Sequence, residues 1–194
     1  PVNDKVTIQF SSRPTVSAGV SKTVCSNDFP VSLTGSGTST VSWSGGGGTF
    51  GNPADASTTY TPLVSEIGST VSLTLTSPAV GSCPSTAATV DITLQQGPTA
   101  SIILGNTDIC GDLTSVTLNS NVTNLPNGTS GIGWTSSGNG KFTDSLVSPA
   151  VYTFSADDVT NLGVDFYITT TDNFPCSAAT DTIDVSITAA PVVV

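Results

Sequence analysis

Trp43-Ser44-Gly45-Gly46-Gly47-Gly48-Thr49-Phe50, with Tyr60 following inside Thr59-Tyr60-Thr61, is written in this chain a second time. The second copy reads Trp134-Thr135-Ser136-Ser137-Gly138-Asn139-Gly140-Lys141-Phe142, with Tyr152 inside Val151-Tyr152-Thr153. A cysteine lies ahead of each tryptophan (Cys25, Cys110) and another lies well behind it (Cys83, Cys176). The order Cys, Trp, glycine-rich turn, Phe, Tyr, Cys therefore occurs twice, and such recurrence decides architecture before any finer reading. At 194 residues the chain suits one large or two small domains, and the repeat selects two.

Outward from these stretches the pattern is that of strands. Val71, Leu73 and Leu75 alternate with Ser72, Thr74 and Thr76, and Val164, Phe166 and Ile168 do the same in the second copy. A period of two means sheets wetted on one face, hence antiparallel and packed as a sandwich. In the first copy strands are expected at 15–20, 31–34, 40–44, 49–50, 58–61, 70–76 and 88–94. In the second they are expected at 99–104, 115–120, 131–135, 150–154, 163–170 and 182–188, with at most a turn of helix near 155–161. Gly, Pro, Asn and Ser turns separate them. Each copy has the size of an immunoglobulin-like sandwich. The expected fold is all-β: two tandem immunoglobulin-like antiparallel β-sandwiches, each with one disulfide. Trp43, Phe50, Tyr60, Trp134, Phe142 and Tyr152 are the expected core aromatics, in preference to exposed sugar platforms.

Lys5–Phe10 also alternates, and it has echoes at Val90–Leu94 and Ile183–Ile187, each followed by a proline (Pro14, Pro98, Pro191). This register assigns residues 1–13 to the terminal strand and linker of a preceding repeat. It assigns 14–97 to the first repeat, 98–190 to the second and 191–194 to the start of a following one. The alternative is a strand private to the first repeat. On this register the chain is a fragment, with its export and anchoring signals elsewhere.

The four cysteines, two per copy, read as two disulfides. No Cys-x-x-Cys pair or histidine is present to complete a zinc shell. Spacing predicts Cys25–Cys83 and Cys110–Cys176, both within a copy. In the chain-entropy model closing such loops contributes about 4 kcal/mol each. Disulfides imply an oxidising compartment outside the cytosol. A net charge of -10 argues against nucleic acid and against an anionic membrane surface. No apolar run reaches the length of a membrane span, so direct membrane insertion is not expected.

Sites of chemistry are few. The glycine run Gly45–Gly48 lacks the Lys-Ser/Thr of a phosphate loop and reads as a flexible turn. Asp157-Asp158, with Glu66 at their place in the first copy, and Asp108 and Asp112 beside Cys110, raise a calcium reading. Against it stands a solvated turn, because calcium needs six to eight converging oxygens. With no histidine and the cysteines committed, the usual bases and nucleophiles are missing, and no enzyme, cofactor or catalytic residue is expected. Asn121-Val122-Thr123 and Asn127-Gly128-Thr129 match the N-glycosylation pattern, the latter also reading as a hairpin turn.

Val24-Cys25-Ser26, Val41-Ser42-Trp43, the glycine turn to Phe50, Thr59-Tyr60-Thr61-Pro62 and Ser82-Cys83-Pro84 together resemble a known repeat class. They are similar to the immunoglobulin- or PKD-like tandem repeats of giant Bacteroidota cell-surface adhesins exported by the type IX system, the SprB-type gliding adhesin among them. The resemblance covers essentially the whole chain, though the second copy has Thr153-Phe154 where the first has Thr61-Pro62. It implies a non-catalytic repeat of an extracellular filament serving surface attachment and gliding motility. Its partners would be neighbouring repeats of the same chain, with surface polysaccharide or a solid substratum beyond them. Asp144-Ser145-Leu146 and Asp181-Thr182-Ile183 also resemble the Asp-Ser/Thr-apolar triplets that many Bacteroidota modify, which would make Ser145 and Thr182 O-glycosylation acceptors. A carbohydrate-binding accessory module of a secreted polysaccharide-degrading enzyme is the alternative.

Overall fold

A computed structural model describes residues 4–8, 10–125 and 131–188 of the chain. Asn127-Gly128-Thr129 and residues 191–194 lie outside the described residues. The chain divides into two compact units, Pro1–Gln95 and Gln96–Val194.

In the first unit β1 (Val16–Ser17) pairs with β4 (Ser36–Gly37). A second sheet runs β3 (Val31–Thr34), β7 (Ser57–Thr61), β6 (Thr49–Phe50). The facing sheet runs β2 (Lys22–Cys25), β9 (Thr86–Gln95), β8 (Thr70–Ser77), β5 (Ser42–Gly45). The alternation of β8 becomes the burial pattern directly, with Val71, Leu73 and Leu75 inward and Ser72 outward. Against them pack Trp43, Val90, Ile92 and Leu94 from their own sheet and Val31, Leu33 and Tyr60 from the other.

The second unit repeats the plan. One sheet runs β10 (Thr99–Ile103), β12 (Ser115–Thr123), β15 (Ala150–Thr153), β14 (Lys141–Phe142). Its partner runs β11 (Asp108–Cys110), β17 (Thr180–Thr188), β16 (Gly163–Thr170), β13 (Ile132–Ser136). A short helix, α1 (Ala156–Thr160), joins β15 to β16. Val164, Phe166 and Ile168 meet Trp134, Leu118 and Tyr152 in a core of their own. This strand order is that of an immunoglobulin-like sandwich.

Three features depart from the sequence reading. The sandwiches are not purely antiparallel: β2 runs parallel to β9, and β11 parallel to β17. The first strand of each copy splits, its early part pairing in one sheet and its later part crossing to the edge of the other.

Second, residues 4–8 and 10–13 form no strand, and Val6, Ile8 and Phe10 of the expected terminal strand are exposed. Among the described residues its alternation finds no sheet edge to pair with.

Third, neither within-copy disulfide forms. Cys25 and Cys176 are the disulfide-bonded cysteines, whereas Cys83 and Cys110 carry free thiols. The reason lies in β2 and β11. Cys25 pairs with Gln95 at the last residue of β9, while Cys83 lies just before its first residue, Thr86. A ten-residue strand spans about 30 Å, against a Cα separation of roughly 7 Å at most for a disulfide. Cys110 opposite Thr188, and Cys176 ahead of Thr180, stand likewise at opposite ends of β17.

Candidate functional site

The turn after each tryptophan strand, which carries the chain from one sheet to the other, is where the two copies concentrate their polar chemistry. Trp43 and Trp134 are buried, and each indole N–H donates to a carbonyl thirteen residues on, Ala56 O at 3.1 Å and Val147 O at 3.0 Å. A ring buried in the core and tethered at its one donor cannot serve as a stacking platform for sugar. Phe50 stacks beside Trp43 and tilts against Tyr60, while Phe142 stands between Trp134 and Tyr152. The aromatic rows lead inward from the glycine turns to the two tyrosines.

Both tyrosines are fully buried, and each hydroxyl finds a carboxylate six residues later. Tyr152 Oη donates to Asp158 Oδ2 at 3.0 Å. The same oxygen accepts Ser155 N–H at 2.9 Å and Gly140 N–H at 3.1 Å, and Oδ1 accepts Asn139 N–H at 2.8 Å. Ser155 Oγ in return accepts Asp158 N–H at 3.1 Å, closing a reciprocal cap on α1. In the first copy Glu66 sits on a single 3-10 turn, Val64–Glu66. Its carboxylate accepts Gly47 N–H at 2.7 Å, Leu63 N–H at 2.8 Å and Tyr60 Oη–H at 2.9 Å. Gly48 N–H, whose counterpart Gly140 reaches aspartate directly, donates instead to Tyr60 Oη at 2.9 Å. The shorter aspartate is drawn in until it is 1% exposed, whereas the longer glutamate reaches the turn from a half-buried position.

A carboxylate thus pins each glycine turn to the tyrosine strand. The glycines are required sterically: a Cβ on Gly48 would strike Thr61 O, and one on Gly140 would strike Thr153 O. The turn read as flexible is clamped, and the aspartate read as solvated is buried. Burial raises the carboxyl pKa of both Glu66 and Asp158, but the converging N–H and O–H donors outweigh it and hold both below the usual range. Burial and the neighbouring carboxylate push the Tyr60 and Tyr152 hydroxyls up, against lowering by turn N–H groups at Tyr60 and chiefly by the Ser136 side chain at Tyr152. The protons stay on the tyrosines and the charges on the carboxylates.

Three donors crowd Oδ2 of Asp158 and one takes Oδ1, so this carboxylate is engaged chiefly in holding the turn. Asp108 Oδ1 accepts Thr188 Oγ1–H at 2.8 Å. Among the described residues no group of three or more Cys, Asp or Glu side chains is placed to hold a metal ion. Of the modification candidates, Thr182 is exposed on β17, Asn121 is exposed on β12 and Ser145 is half-buried.

No family model matches the chain. No curated protein matches it either. Solved structures do, at low identity. Drosophila N-cadherin EC1-4 is 13% identical with a TM-score of 0.42, over 93% of this chain and 50% of that one. The N-terminal eight Ig domains of Down Syndrome Cell Adhesion Molecule are 12% identical with a TM-score of 0.49, over 92% of this chain and 24% of that one. Drosophila OTK extracellular domains 3-5 are 14% identical with a TM-score of 0.44, over 94% and 62%. The chain thus spans less than two thirds of the length of each of these. The clamp itself could have been found from the sequence, in the common six-residue step from Tyr60 to Glu66 and from Tyr152 to Asp158.

Proposed function

We propose that this chain is a non-catalytic, structural and adhesive repeat module of a long extracellular cell-surface adhesin, serving surface attachment and gliding motility. The observation that carries the reading is the duplication, in two units, of one sandwich whose buried tyrosine is clamped to a carboxylate. Glu66 and Asp158 are engaged in holding turns, which suits a module that transmits position and load. The burial of both tryptophans removes them as sugar platforms, which supports this over the carbohydrate-binding alternative. A disulfide in the chain supports an oxidising, extracytosolic location, and no described helix is long and apolar enough to cross a membrane. Its partners on this reading are neighbouring repeats and, beyond them, a surface polysaccharide or solid substratum.

The test is antibody labelling of intact source cells, with attachment to glass scored after deletion of the gene. Surface filaments that carry the label, and loss of attachment on deletion, are the expected results. Label seen only after permeabilisation, or attachment to glass unchanged on deletion, would overturn the reading.

A further inference from the structure

Each unit carries its two cysteines at opposite ends of its last strand. Cys25 and Cys110 occupy the same register, each on the short parallel edge strand, opposite the final residue of β9 or β17. Cys83 and Cys176 likewise correspond, each in the turn before that strand begins. Strand length forbids a bridge inside a unit. One member of each corresponding pair is nevertheless disulfide-bonded: Cys25 of the first kind and Cys176 of the second. The remaining member of each kind, Cys110 and Cys83, is a free thiol. Cys110 is exposed, and the half-buried Cys83 donates its S–H to Ser11 O at 3.2 Å.

We infer that Cys83 and Cys110 are disulfide-forming sites for further copies of this repeat, Cys110 of one copy joining Cys83 of another. The inference rests on the repeat reading of the chain but not on its place in the cell. The pairing is heterologous, one kind of cysteine with the other, so it extends a series of copies instead of closing a symmetric dimer. The chemistry is thiol–disulfide exchange with a small-molecule disulfide such as oxidised glutathione. One cysteine thiolate displaces a glutathione thiol to form a mixed disulfide, and the second cysteine thiolate displaces the other glutathione. Two cysteine thiols and one glutathione disulfide thus become one cystine and two glutathione thiols.

The full chain is incubated in a glutathione redox buffer and resolved by non-reducing electrophoresis and peptide mapping. We expect a ladder of oligomers joined by Cys83–Cys110 peptides. C83S and C110S each remain monomeric alone, and an equimolar mixture of the two gives a dimer. Tryptophan fluorescence of each variant verifies folding, and C83A and C110A provide a second pair if serine perturbs it. Dimers from either single variant alone, no dimer from the mixture, or a Cys83–Cys110 link within one monomer would each overturn the inference. Surface labelling of cells reads the adhesin proposal separately, so either can fail without the other.

Discussion

Asp158 is the residue on which the second unit turns, because one carboxylate satisfies three backbone N–H groups and a buried hydroxyl. Asp158→Asn keeps the shape but turns an amide NH2 toward donors, leaving buried N–H groups unpaired. Loss of charge-assisted bonds with orphaned partners costs about 3 kcal/mol. In a domain of this size the unit's melting temperature should fall by about 15 °C, followed through Trp134 fluorescence in a Trp43→Phe background. The pH dependence has a definite sign. The folded carboxyl pKa values of Asp158 and Glu66 lie below their unfolded values. Their stabilisation is therefore complete above the unfolded pKa of about 4 and drains away as pH falls through the folded value. Thermal melts from pH 7 downward should show wild type and Asp158→Asn converging in acid; a gap independent of pH would remove the charge from the explanation.

Among elements, the glycine turns and the parallel edge strands carry the most consequence per residue. Gly140 lies against Thr153 O and the Tyr152 ring, so Gly140→Ala forces backbone apart and should cost about 3 kcal/mol. Gly133, on β13 of the same unit, has open space where an added methyl group would stand, and Gly133→Ala should change stability by less than about 1 kcal/mol. Urea unfolding of the two variants checks the contrast, and equal losses would show that the turn is not clamped. The edge strands are invisible to periodicity for a physical reason. Lys22–Cys25 and Asp108–Cys110 are four and three residues long, too short to display an alternation. Yet they place Cys25 and Cys110, and pairing those cysteines by their spacing along the chain leads to bridges the strands forbid.

At the scale of the molecule, each unit has a complete hydrophobic core of its own. Neither draws on a disulfide inside it. Residues 96–194 expressed alone with Cys110→Ser and Cys176→Ser should therefore fold, with blue-shifted Trp134 emission and a cooperative thermal transition. A chain with red-shifted emission and no transition would show that the unit depends on something outside itself. The net charge of -10 belongs to this scale too, since it bears on solubility and association rather than on fold.

The class of structure and most of its elements are legible in the residues themselves. Leu73 and Phe166 announce their strands because burial on one face of a sheet repeats every second residue, and the doubled Trp–Gly–Phe–Tyr order marks two like units. The six-residue step from tyrosine to carboxylate is equally present, but only the folded turn shows that its acid takes up the turn's N–H groups, and that Asp158 is buried and shared by four donors. The pairing of the cysteines belongs to the folded chain alone. Strand order places Cys25 and Cys83 at opposite ends of β9 and Cys110 and Cys176 at opposite ends of β17. Separation along the chain carries no information about which end of a strand a neighbouring edge strand will reach.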